Sequence, residues 1–154
     1  MNLHPTIVNI TIFVLASGIL LELLYFFTKN LQFKKYGVIL MIAGAVFAAF
    51  SVFSGLRAFS IVEIPREALP TVETHRVSGL ITLALIAVAM VLRFAAGRIR
   101  TLEKPLRWLY AAMLIAIAAM LFRTGSIGGD MAYKYQLRHD EPAKTPAQKP
   151  GFDE

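Results

Sequence analysis

His75-Arg-Val-Ser-Gly-Leu-Ile-Thr-Leu-Ala-Leu-Ile-Ala-Val-Ala-Met-Val-Leu-Arg93 is the stretch that decides the fold. Its sixteen uncharged residues, Val77 to Leu92, carry one small-polar strip, Ser78 and Thr82, and are otherwise aliphatic apart from Gly79 and Met90. With His75 and Arg93 snorkelling at the ends, nineteen positions at about 1.5 Å each give roughly 28 Å of helix, the hydrocarbon thickness of a bilayer. A helix apolar on nearly every face is buried in lipid or in a large core. A chain of 154 residues has no core large enough to hide it. The stretch therefore reads as a membrane span, with the other spans placed against it.

Composition agrees. The chain is 56% hydrophobic and 17% charged, with a mean hydropathy of +0.60, whereas a soluble domain carries about 25% charged residues. Cysteine is absent, which excludes disulfides, thiolate-ligated zinc, iron–sulfur clusters and covalently attached c-type haem. The net charge of +6 does not point to nucleic acid, because the basic residues cluster in two short loops between apolar runs. That distribution belongs to membrane topology.

Taken in order, a first span covers about 5–28, interrupted by Glu22, with Pro5 suited to a first helical turn. No basic residue precedes it, so it reads as a retained helix and not a cleaved signal peptide. Lys29, Lys34 and Lys35 form a connecting loop among Tyr25, Phe26, Phe27 and Tyr36, an interfacial aromatic belt. The second span covers 36–57. Its Gly44, Ala48, Ser51 and Gly55 share one face, and small residues so spaced let helices approach closely in lipid. A mixed-charge loop with Pro65 and Pro70 leads to the third span, 75–93. The fourth covers 106–127, with another small face at Ala112, Ala116 and Ala119, and is expected to end at Gly128-Gly129-Asp130. Residues 137–154 are Pro- and Lys-rich and expected to be an extended tail, unable to order alone, with Lys144, Lys149 and Phe152 as handles for a partner.

Orientation follows from charge. The loops after spans one and three hold eight Lys and Arg against the single acid Glu103. The positive-inside rule puts both in the cytoplasm and both termini outside. The expected fold is thus an all-α integral membrane four-helix bundle with extracytoplasmic termini. The halves hint at a repeat: His4 and His75 each open a span and are followed seven residues later by Thr11 and Thr82, positions on one helix face.

Leu3-His4-Pro5-Thr6-Ile7-Val8, the Gly44/Gly55 span, the His75-led span ending in Arg93, and Gly128-Gly129-Asp130-Met131-Ala132-Tyr133 together resemble a widespread bacterial family. It comprises four-span membrane proteins with a domain of unknown function, an HPxxVHFP-like start and a GGxLVYxHG-like end. The resemblance covers residues 3 to about 136. It implies a four-helix bundle in the bacterial inner membrane, sometimes alongside or fused to Rieske-type redox domains, hence a link to electron transport. The chain departs from the pattern at Asn9 and Tyr135, where the family has histidines, and at Thr11, where it has proline.

Those departures bear on the candidate site. Membrane bundles that hold b-type haem use paired histidines on facing helices. His4 and His75 are placed to meet at the outer surface, with Arg57, Arg76 and Arg123 at a depth for haem propionates or a quinone. With Asn9 and Tyr135 where ligands would stand, the expectation is anchored helix ends and no bound haem; haem b is the alternative. His4, His75, His139 and Asp130 lack the tight spacing of a metal site. Glu22, the one acid within a span, is expected to pair with Lys29, Arg93 or Arg98. No nucleophile elbow, phosphate loop or carboxylate pair points to catalysis. The expected function is an accessory or scaffolding subunit of a larger membrane complex of electron transport, its partners lipids and other membrane subunits. The alternative is a haem- or quinone-interacting electron carrier.

Overall fold

A computed structural model describes residues 4–61 and 64–135. It contains four long helices: α1 (His4–Thr28), α2 (Leu31–Ile61), α3 (Leu69–Arg98) and α4 (Glu103–Lys134), the last preceded by a 3-10 turn at Arg100–Leu102. All four are long and apolar enough to cross a membrane. The chain is a four-helix membrane bundle.

α1 packs most extensively on α2, and α3 on α4, so the bundle is two hairpins joined side by side. The start of α1 meets the end of α2 where His4 hydrogen-bonds Ser54. Near the end of α1, Glu22 meets Arg93 towards the end of α3. α1 and α3 therefore run parallel, and the two histidine-led starts share one end of the bundle.

Only 22–28% of each span is buried inside the bundle. The rest faces outward, with Phe13, Phe27, Phe53, Val91, Ile115 and Phe122 all more than 60% exposed. In water such a surface would be untenable; in lipid it costs nothing. The interior seam is apolar through the midplane, built on Leu15, Ile19, Met41, Ala48, Ile86, Ala89, Leu114 and Ile117.

The helix ends differ from the hydropathy reading. The α1–α2 connection is only Lys29 and Asn30, so Lys34 and Lys35 are helical. Lys29 takes a left-handed φ of 59° and donates its N–H to the Tyr25 carbonyl, and Asn30 caps α2 by accepting from Gln32 N–H. α2 runs past Arg57 to Ile61, and α3 begins at Leu69 with Pro70 in its first turn. α4 continues through Gly128-Gly129-Asp130 to Lys134, where a break was expected. Glycine costs a helix about 1 kcal/mol relative to alanine but does not force an end, and at the membrane the intrahelical bonds have no better partner. The alanine face of α4 lies to the side of the seam: Ala112 and Ala119 are exposed and Ala116 is half-buried, while Tyr110, Ala111, Leu114 and Ile117 face inward. The tail, with Lys144, Lys149 and Phe152, lies outside the described residues, as does His139.

The repeat extends well beyond histidine and threonine. Glu22 and Arg93 are 71 residues apart, and the same offset relates His4 to His75, Thr11 to Thr82 and Leu15 to Ile86. Thr11 and Thr82 are both buried and both donate to the carbonyl one turn back. A second constant offset maps Lys34, Gly37, Met41 and Gly55 of α2 onto Arg107, Tyr110, Leu114 and Gly128 of α4. Gly55 lies under the His4 ring as Gly128 lies under the His75 ring. The two hairpins thus carry the histidine, threonine and glycine features at matching positions.

Candidate functional site

The polar side chains gather at the two ends of the bundle, and the ends differ in kind. At the histidine end each imidazole is taken up within its own hairpin. His4 Nδ1 lies 2.8 Å from Ser54 Oγ, and a methyl group on Gly55 would stand 2.9 Å from His4 Cε1. The corresponding distance from Gly128 to His75 Cε1 is 3.2 Å. Tyr135 stands 3.5 Å from Thr71 across the α3–α4 hairpin. Arg76 pairs with Glu73 at 3.1 Å and lies over the Phe59 ring, while Arg57 and Arg123 are exposed. Asn9 points outward from α1. Among the described residues no group of three or more His, Asp and Glu is arranged to hold a metal.

The small face of α2 is turned to α1. A methyl group on Gly44 would come within 2.5 Å of Leu15 Cδ2, and Ala48 is 6% exposed. From the opposite side, Gly18 of α1 abuts the α2 backbone, where an added methyl would meet Met41 N at 3.1 Å. Glycines on both helices therefore set this close approach.

The other end is built around Glu22. Its side chain is 1% exposed, and Oε2 accepts from Arg93 Nε at 3.0 Å. Of the three cations named from sequence, Arg93 is the partner; Lys29 folds back to donate to the Phe26 carbonyl. Gly37 of α2 makes room for the acid, since a methyl group there would lie 3.1 Å from Glu22 Cγ. The Arg93 guanidinium lies 5.9 Å from the ring centres of both Tyr25 and Tyr110. Arg107, the α4 counterpart of Lys34, lies 5.8 Å from the Tyr25 ring and pairs loosely with Glu103 at 3.5 Å. Glu22, Tyr25, Lys34, Arg93, Arg107 and Tyr110 line a cleft of about 80 Å³ to which all four helices contribute. Phe26 closes its rim edge-on against Trp108, 4.8 Å between ring centres.

Sequence reading found Glu22 and Arg93 but missed Tyr110, Arg107 and Gly37. The signal was there in the second offset, which sets Gly37 and Tyr110 at equivalent positions flanking the ion pair. Chemically the cluster offers guanidinium and phenol donors around one matched carboxylate, an arrangement for holding a polar group at the membrane surface.

Comparison with known proteins finds no match among curated proteins and none among solved structures. The model of the family described as "Predicted membrane protein (DUF2231)" matches residues 1–141, nearly the whole chain, and the chain belongs to that family.

Proposed function

We propose that this multi-pass protein is an accessory or scaffolding subunit of a larger membrane complex of electron transport, in the bacterial inner membrane with both termini outside. The observation that carries the subunit reading is that polar side chains face outward within the spans, Asn9 on α1 and Arg123 on α4. Polar groups on an outward face are costly in hydrocarbon and gain most from a protein neighbour or the headgroup layer. The apolar seam across the midplane favours a structural role over a transport path. The redox assignment draws on the Rieske-type neighbours that the family resemblance implies.

The test removes the chain from the cell that makes it and follows quinol-driven oxygen uptake by its membrane vesicles, with a native gel of the detergent-solubilised chain. The expected result is a lowered rate, restored by the intact chain, and migration well above its 17.1 kDa. An unchanged rate contradicts the electron-transport role, and migration at its own mass contradicts the subunit reading. A Soret band in the purified protein would instead establish the haem-carrying alternative.

A further inference from the structure

The Glu22 end of the bundle holds more hydrogen-bonding capacity than its ion pairs use. Arg93 spends Nε on Glu22, and its Nη2 is buried without a partner. Arg107 reaches Glu103 through Nη1, and its Nη2 is likewise buried and unpartnered. The hydroxyl of Tyr110, a residue 6% exposed, stands beside Glu22 and Arg93 but makes no hydrogen bond of good geometry to either. All three residues line the same cleft of about 80 Å³. Buried polar groups are normally satisfied, and orphaned ones call for an unseen water, ion or ligand. One water needs only about 10–15 Å³ of such space, so the cleft has room for a group of several heavy atoms.

Three donors on one cleft call for an acceptor-rich, anionic group. The Glu22 Oε1 atom also lacks a partner there, but the carboxylate is matched by Arg93 and packed against Gly37. Sharing Phe26, Glu103 and Arg107 with the cleft is a wider vestibule of about 510 Å³, to which Lys29, Arg100, Lys104 and Trp108 contribute. The vestibule is therefore basic, with Glu103 its single acid. Aromatic residues mark this end as headgroup depth, and exposed Ile99, Leu102 and Leu109 offer apolar surface beside it. A soluble anion would gain nothing from that surface; acyl chains would.

We infer that this cleft takes the phosphate of an anionic membrane lipid, held by Arg93, Arg107 and Tyr110, with its acyl chains in the bilayer. Basic pockets between helices on the cytoplasmic side suit such headgroups. The site goes beyond the proposed function and stands whichever complex the chain serves.

Trp108 is the single tryptophan and reports directly. The full chain in phosphatidylcholine nanodiscs is titrated with phosphatidylglycerol or cardiolipin, with more phosphatidylcholine, and with inorganic phosphate. The expected result is a saturable fluorescence change with the anionic lipids and none with the other two. Arg107→Gln should weaken it about tenfold, the loss of a charge-assisted hydrogen bond. Tyr110→Phe, which removes one oxygen, should weaken it less but measurably, and it decides the matter if Arg107→Gln fails to fold by circular dichroism. Equal responses to phosphatidylcholine, or variants that both fold and both bind like the intact chain, overturn the inference. Saturation by inorganic phosphate overturns the lipid and leaves a soluble phosphate as the ligand.

Discussion

Glu22 and Arg93 stand at matching positions of the two hairpins yet carry opposite charges, so an ion pair joins the halves. Taking one partner away leaves a charge with little water to solvate it. Glu22→Gln should therefore destabilise the bundle by about 1–3 kcal/mol, less than the full penalty of a broken buried pair because Arg93 is partly exposed and snorkels. Exchanging the charges, Glu22→Arg with Arg93→Glu, should recover part of that loss. Unfolding in mixed micelles at increasing dodecyl sulfate, run as a double-mutant cycle, measures both. Single and double variants as stable as the parent would mean that the 3.0 Å contact contributes nothing to joining the halves.

Between helices, the decisive contact is α1 on α2. Leu15 is fully buried and its side chain lies against Gly44, so a leucine at Gly44 would collide with it. Gly44→Leu should cost about 1–3 kcal/mol by overpacking, whereas Gly79→Ala, where nothing lies within 4 Å of the added methyl, should be neutral or mildly stabilising. The same dodecyl sulfate titration separates them, and equal behaviour would show that Gly44 faces lipid. At this scale the number and order of helices were legible, because hydropathy alone decides whether a segment can leave water. Their ends were not. Gly128-Gly129 reads as a stop in water, yet α4 runs through it, with Gly128 lending its bare backbone to the His75 ring. Lys34 and Lys35 read as loop because charge suggests solvent, but a two-residue turn with Lys29 in a left-handed conformation leaves them helical. Glu22 was legible as an ion pair because a lone acid in a span must find a cation. Tyr110 and Gly37 were not, since their roles exist only once α2 and α4 are laid against that acid.

For the whole molecule, everything functional hangs on which end faces the cytoplasm. In the proposed orientation, which rests on the charge asymmetry, the Glu22–Arg93 cleft lies inside, next to the anionic inner leaflet, and His4 and His75 lie outside. A chain without cysteine makes single-cysteine labelling unambiguous. Thr101→Cys lies in the turn before α4, and Tyr133→Cys lies in its last helical turn at an 85% exposed position. With a membrane-impermeant maleimide applied to intact spheroplasts, Tyr133→Cys should be labelled at once and Thr101→Cys only after lysis. Labelling of Thr101→Cys in intact cells, with Tyr133→Cys protected until lysis, would contradict the account.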